Sequence, residues 1–168
     1  MRKFTLTHEI NCSVDHFWKV FFDKDFNTEL FTKELGFPEY KIVEQSDNDG
    51  TVKRRIKGVP KMEMPKAVMK VLGDGFGYEE NGQMNPNTKV WTWKMTPSTL
   101  ANKLRNEGTV RCEPMGDNKC KRIAVIECEA KIFGVGGVIE SSTEKEFRRG
   151  WDQSAVFMNN WIKNHPPG

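Results

Sequence analysis

Histidine is scarce in this 168-residue chain: only His8, His16 and His165 occur. Cysteine stands at Cys12, Cys112, Cys120 and Cys128, and no two of these form C-x-x-C. With no histidine pair nearby, the spacing of a structural zinc site is missing, and neither a metal nor a cofactor is expected. Cys112 and Cys120 flank a turn and can face each other across a hairpin; all four cysteines are expected as reduced, mostly buried thiols. No apolar run approaches the ~18 residues of a membrane span, and the opening MRKFTLTHEI lacks the pattern of a signal peptide. The expected location is the reducing cytoplasm, with peripheral membrane contact left open. Excess charge is missing too. A net charge of +3 falls short of the clustered basic footprint of a nucleic-acid binder. Repeats and low-complexity segments are absent, and the 11 Phe and 5 Trp exclude general disorder. A chain of this length is expected to form one domain, residues 1–168, acting as a monomer.

Phosphate loops are also missing, although Gly134-Val135-Gly136-Gly137 invites the comparison. The pattern G-x-x-x-x-G-K-[ST] fails because Ile139 falls five positions after Gly134 and no Lys-Ser or Lys-Thr pair follows. The dinucleotide pattern G-x-G-x-x-G fails because Ile139 stands where the third glycine belongs. A strand-to-helix hinge accounts for every residue of the stretch. Glycine allows a sharp bend and close backbone approach, and Glu140 and Glu144 then fall in the first helical turns, at the positive end of the dipole.

What the chain does have is pattern. Phe4, Leu6, His8 and Ile10 alternate as one face of a strand. Ser13 suits a helix N-cap, and Val14, Phe17, Trp18, Phe21 and Phe22 form the stripe behind it. A second short helix carries Phe26, Leu30, Phe31 and Leu35 and ends at Gly36 and Pro38. EYKIVEQS and TVKRRIKGV read as strands joined by DNDG, a strong hairpin signal. Pro65 opens a short helix and Gly73 closes it. KVWTWKM puts Trp91 and Trp93 on one face; EGTVRCEP and KCKRIAVIECEAKIF are strands separated by MGDNK. The last helix has an inward arc of Phe147, Trp151, Ser154, Met158, Trp161 and Ile162, with Glu140 on that arc and Glu144 near its edge. Lys145, Arg148, Arg149 and Asn159 take the polar side, and Asn164, Pro166 and Pro167 stop the helix. Helices segregated from antiparallel strands give the class α+β.

These residues resemble a known family. From FTLTHEINCSVDHFWKVFFD to FMNNWIKN the chain resembles the helix-grip proteins of the START-like (SRPBCC, Bet v 1-like) superfamily. That group includes steroidogenic lipid-transfer domains, the birch-pollen allergen fold and polyketide cyclases. The nearest likeness is to an uncharacterised, mostly bacterial START-like family. It shares the opening strand plus S-x-x-x-F/V-W, the segment VPKMEMPKAVMKVLG and the final G-V-G-G-x-I-E. PRELI-like phospholipid carriers have a similar layout. The resemblance implies a curved antiparallel sheet wrapped around the long C-terminal helix, with two short helices after the first strand and a cavity between sheet and helix.

For such a cavity, Trp91, Trp93, Ile126, Cys128, Glu140, Phe147, Trp151 and Met158 are the expected ligand-binding residues, and a lipid or sterol the expected ligand. Glu140, a carboxylate on the inward arc, must be paired, protonated or wet. It can meet a ligand hydroxyl or amine, Arg54 or Arg55, or backbone amides at the helix start. Glu127 and Glu129 share a face with Val125 and are read as solvated. Between Lys53 and Lys70 seven Lys and Arg stand against one acid, Glu63. Interleaved with them are the methionines, so Lys61, Met62, Met64, Lys66, Met69 and Lys70 are the expected contacts with an anionic membrane, within a lid over residues 62–76. Carriage, including transfer between membranes, is expected rather than catalysis. Two alternatives remain. An enzyme of the cyclase or hydrolase type would bond a buried His8 to a carboxylate in the pocket. A chaperone-regulating protein-binding module would show a large exposed apolar patch.

Overall fold

The strands of the computed structural model, which describes residues 1–166, are β1 (Arg2–Ile10), β2 (Glu39–Asn48), β3 (Thr51–Val59), β4 (Tyr78–Met84), β5 (Trp91–Pro97), β6 (Leu104–Pro114) and β7 (Cys120–Ala130). They pair antiparallel in one seven-stranded sheet of order β1-β7-β6-β5-β4-β3-β2. From β2 to β7 the chain meanders between neighbours, so β1 and β2 are left at opposite edges. The helices α1 (Val14–Phe21) and α2 (Lys24–Glu29) carry the chain from one edge to the other. Ser13 caps α1 by accepting from the His16 amide, and Asp23 caps α2 by accepting from the Phe26 amide. A π-helical turn over Leu30–Glu34 follows, which periodicity did not anticipate. A register shift between Ile42 and Glu44 marks a bulge in β2, a device that bends a strand and helps curl a sheet edge. The β2–β3 hairpin turns through Asp49 and Gly50, whose φ values of 54° and 88° are those a two-residue primed turn demands.

The long α4 (Gly136–Asn164) lies on β1 and β7 and closes the concave face. This is the helix-grip arrangement of the α+β class, as expected. Pro166 lies just beyond the helix; Pro167 is outside the described residues. The hinge is built as its glycines suggest. Gly134 has φ +84°, and at Gly136 a Cβ would run into the Ala130 carbonyl oxygen. α4 is also tied down further along. Asn159 accepts from the Asn11 amide at 2.8 Å and donates to the Glu9 carbonyl at 3.2 Å.

Between β3 and β4 the short α3 (Lys66–Leu72) buries Val68 and Leu72 in a second apolar cluster with Leu104, Ala130 and Ile139. Strand β4 was not foreseen. Its sequence, YEENGQM, breaks the apolar alternation because Glu80 and Gly82 occupy the inward positions between Tyr78 and Met84. The glycine has a packing reason. A Cβ at Gly82 would overlap the Trp91 indole, just as one at Gly108 would crowd Trp93. The four cysteines are free thiols, with Cys112 half-buried and the rest buried.

Candidate functional site

The concave face does not close completely on α4. A cavity of about 260 Å³ remains between the inner faces of β3–β7, the α2 region, α4 and the segment leading into α3. Its wall includes Trp91, Trp93, Cys128, Glu140, Phe147, Trp151 and Met158. Ile126 differs from the expectation: it is fully buried in the core and takes no part in the wall. Like Cys128 it points inward and belongs to the main core cluster, but unlike Cys128 it does not border the open space. Phe147 packs on Trp93 with ring centroids 5.9 Å apart, an aromatic contact across the gap from helix to sheet.

Glu140 meets neither Arg54 nor Arg55, which corrects one of its expected pairings. Its carboxylate accepts from the Ala130 amide at 3.0 Å and pairs with the Met1 ammonium at 2.9 Å. Desolvation would raise this carboxyl, but the Ala130 amide and the Met1 ammonium together hold it below its ordinary value. Arg54 belongs to the basic run between Lys53 and Lys70, yet its side chain turns inward and is only 8% exposed. Strand alternation explains this: Val52, Arg54, Ile56 and Gly58 face in, while Lys53, Arg55 and Lys57 face out. The Arg54 Nη1 donates to the Phe21 carbonyl at 2.9 Å, at the C-terminus of α1, where a cation suits the helix dipole. Its guanidinium lies 5.0 Å from the Phe21 ring centroid and 5.1 Å from that of Trp91.

Glu80 and Arg122 also reach the wall, and the sequence pattern pointed to neither. Glu80 is half-buried on the inner face, diagonal to Arg54 across the β3–β4 pair. Desolvation pushes its carboxyl up, with Arg54 pulling the other way. Arg122, 2% exposed, donates to Ser154 Oγ at 3.0 Å, to the Trp151 carbonyl at 2.9 Å and to His8 Nδ1 at 3.1 Å. An arginine only donates, so His8 Nδ1 accepts and His8 Nε2–H donates to Asp152, 2.7 Å away. Arg122 Nε is buried without a partner. The bonded His8–carboxylate pair does exist, but its Asp152 is 70% exposed and neither residue belongs to the cavity wall.

At the mouth, Lys61, Met62 and Met64 line the opening beside Glu146 and Arg149 of α4. Arg149 pairs with Glu63 at 2.7 Å and with Glu146 at 2.6 Å, joining the α3 approach to the helix. Lys66 and Lys70 are exposed on α3 and Met69 is half-buried. Glu127 and Glu129 lie on the convex face in ion pairs with Arg105. Among the described residues no helix is long and apolar enough to cross a membrane.

A curved antiparallel sheet and a closing C-terminal helix, with an unfilled space between them, make the START-like helix-grip fold. The chain belongs to the family described as protein of unknown function (DUF2505), whose profile matches residues 5–162. No curated protein matches the sequence. Among solved structures, the chain is similar to the Zhui aromatase/cyclase from Streptomyces sp. R1128. The TM-score is 0.71 at 11% identity, covering 99% of this chain and 96% of that one. It is also similar to norcoclaurine synthase from Thalictrum flavum, solved with dopamine and hydroxybenzaldehyde. There the TM-score is 0.67 at 13% identity, with 99% and 89% covered. A START superfamily protein from Mycobacterium smegmatis gives 0.62 at 11% identity, with 96% and 97% covered. Identities this low show the shared fold.

Proposed function

We propose that this chain binds a small, mainly apolar molecule in the cavity between α4 and the sheet, and carries it without a covalent step. One observation carries this reading: about 260 Å³ of space remains inside an aromatic and methionine-rich wall, where an ordinary core is close-packed. An engineered apolar cavity of about 150 Å³ holds one benzene. The space here therefore suits one or two rings or a short acyl chain, at the low end of the roughly 300–1,000 Å³ of small-molecule pockets. A sterol or a two-chain lipid needs the segment over residues 60–76 to lift. Lys61, Lys66 and Lys70 project from that segment, and Met62 and Met64 sit beneath it. Such a surface complements an anionic bilayer, with about 1 kcal/mol from each lysine near the headgroups, so the lid opens where cargo is exchanged.

Native mass spectrometry of the purified protein is expected to show a co-purified small molecule, and apolar compounds are expected to displace a fluorescent probe. Cosedimentation is expected with anionic vesicles and not with neutral ones. An empty protein that no apolar compound enters would sink the binding reading; equal sedimentation with both vesicle types would remove the membrane step alone.

Chemistry on the bound molecule is the second reading, favoured by Glu80, a carboxyl raised by its apolar setting, as general acids are. Conversion of a bound compound that is lost in Glu80→Gln would support it.

A further inference from the structure

One polar corner of the cavity, formed by Arg54 and Glu80, is incomplete. Arg54 makes a single hydrogen bond, to the Phe21 carbonyl. Glu80 makes none, and neither has an ion-pair partner among the described residues. Both line the cavity. Around them stand Trp91, Phe31 stacked on Tyr40 at 4.4 Å, and Tyr78 beside Gly58. The Tyr40 hydroxyl is buried with no partner of its own. Buried charged groups are normally paired, and exceptions need a reason. Attachment to α1 explains one Arg54 donor. It leaves the other Arg54 N–H groups and both Glu80 oxygens without a role.

We propose that this corner is the polar anchor of the cavity and takes the hydroxyl of a one- or two-ring phenol. The hydroxyl donates to the Glu80 carboxylate while its oxygen accepts from a free N–H of Arg54. The inference rests on the cavity being a binding site, and it names the ligand's chemistry. The alternatives fit less well. A hydrocarbon leaves a guanidinium and a carboxyl facing apolar atoms. A ligand carboxylate faces Glu80 as well as Arg54, and an ammonium faces Arg54 as well as Glu80, each with a like charge close by. A neutral group that both donates and accepts satisfies the two together. The aromatic rings that flank the pair supply faces for the ligand ring, and the cavity volume limits the molecule to about two rings.

The test is a matched series: 2-naphthol, 2-methoxynaphthalene, naphthalene and 2-naphthoate, with 4-ethylphenol and ethylbenzene as the one-ring pair. Dissociation constants come from quenching of tryptophan fluorescence and from calorimetry. Water solvates naphthol better than naphthalene, so transfer alone puts naphthalene ahead. The polar corner reverses that order, with naphthol about tenfold or more tighter than both naphthalene and the methyl ether. Glu80→Met is expected to abolish the preference while naphthalene binds as before or tighter, and Glu80→Gln to give an intermediate value. Melting curves check that the variants fold; if Glu80→Met does not, the isosteric Glu80→Gln carries the comparison. Equal binding of naphthol and naphthalene, tighter binding of naphthoate, or a preference that survives Glu80→Met overturns the proposal and leaves the cavity reading standing. If none of the series binds but other apolar probes do, the proposal also falls. If nothing apolar binds at all, both fall.

Discussion

Arg54 and Arg122 are both interior arginines of the same concave face, and both stack on aromatic rings. They differ in how many donors the protein itself occupies. Arg122 is bonded to α4 through Ser154 and Trp151 and to β1 through His8. It rivets helix to sheet, and the Nε it leaves unpaired is sealed away. Arg54 is held at one carbonyl, and its remaining donors face open space. Burial alone therefore does not single out a binding group. Unoccupied donors beside a void do, because water or a ligand must complete them.

The comparison can be broken at several points. The largest effect is expected at Arg122→Ala, which orphans several partners and opens a hole. A loss of about 3 kcal/mol or more lowers the melting temperature by roughly 6–12 °C in a domain of this size. Gly82→Ala follows. It drives a methyl into the Trp91 ring, at about 1–3 kcal/mol, measured by urea denaturation, and it weakens ligand binding by moving the ring stacked on Arg54. Arg54→Met should cost about 1 kcal/mol for the orphaned carbonyl, with its main readout in the lost preference for hydroxylated ligands. A stability loss as large as that of Arg122→Ala would erase the distinction between the two arginines.

His8 supplies a pH test of the rivet. Desolvation lowers its pKa most, Asp152 raises it by its hydrogen bond, and Arg122 lowers it. The folded value thus lies below the unfolded value of about 6.5. Between those two values the unfolded chain binds more protons, so stability falls as pH drops below about 6.5 and levels off beneath the folded pKa. Asp152→Asn removes the raising partner, and NMR titration should find His8 lower still. The smallest effect is expected at Glu63→Gln, which breaks an exposed ion pair. Less than about 1 kcal/mol changes in global stability, while stopped-flow ligand uptake becomes faster.

The sequence made most of the frame legible because apolar spacing and turn chemistry agreed. The Ser13 cap, the Asp49-Gly50 hairpin, Pro65 and Gly73 around α3, and the stripe on α4 all lie where local rules put them. What escaped was the inward polar set. Glu80 in β4 and Arg122 in β7 look like solvated positions to any hydrophobic pattern. The strand YEENGQM is hidden with Glu80, since its other inward residue, Gly82, carries no apolar signal and makes room for the Trp91 ring of the neighbouring strand. The burial of Arg54 is hard to see because charge within a basic run hides the alternation that turns one member inward. Ile126 escaped for the opposite reason: alternation reports burial, but not whether a buried residue borders a void.

At Gly136 the start of α4 touches the end of β7 backbone to backbone, and Asn159 fixes the helix again near β1. A rod fastened at both ends cannot ride up over its cargo. For the binding role proposed above, a gap of fixed height is expected to favour flat molecules over puckered ones of equal volume. A side chain introduced at residue 136 would shim that gap open and trade shape selectivity for capacity.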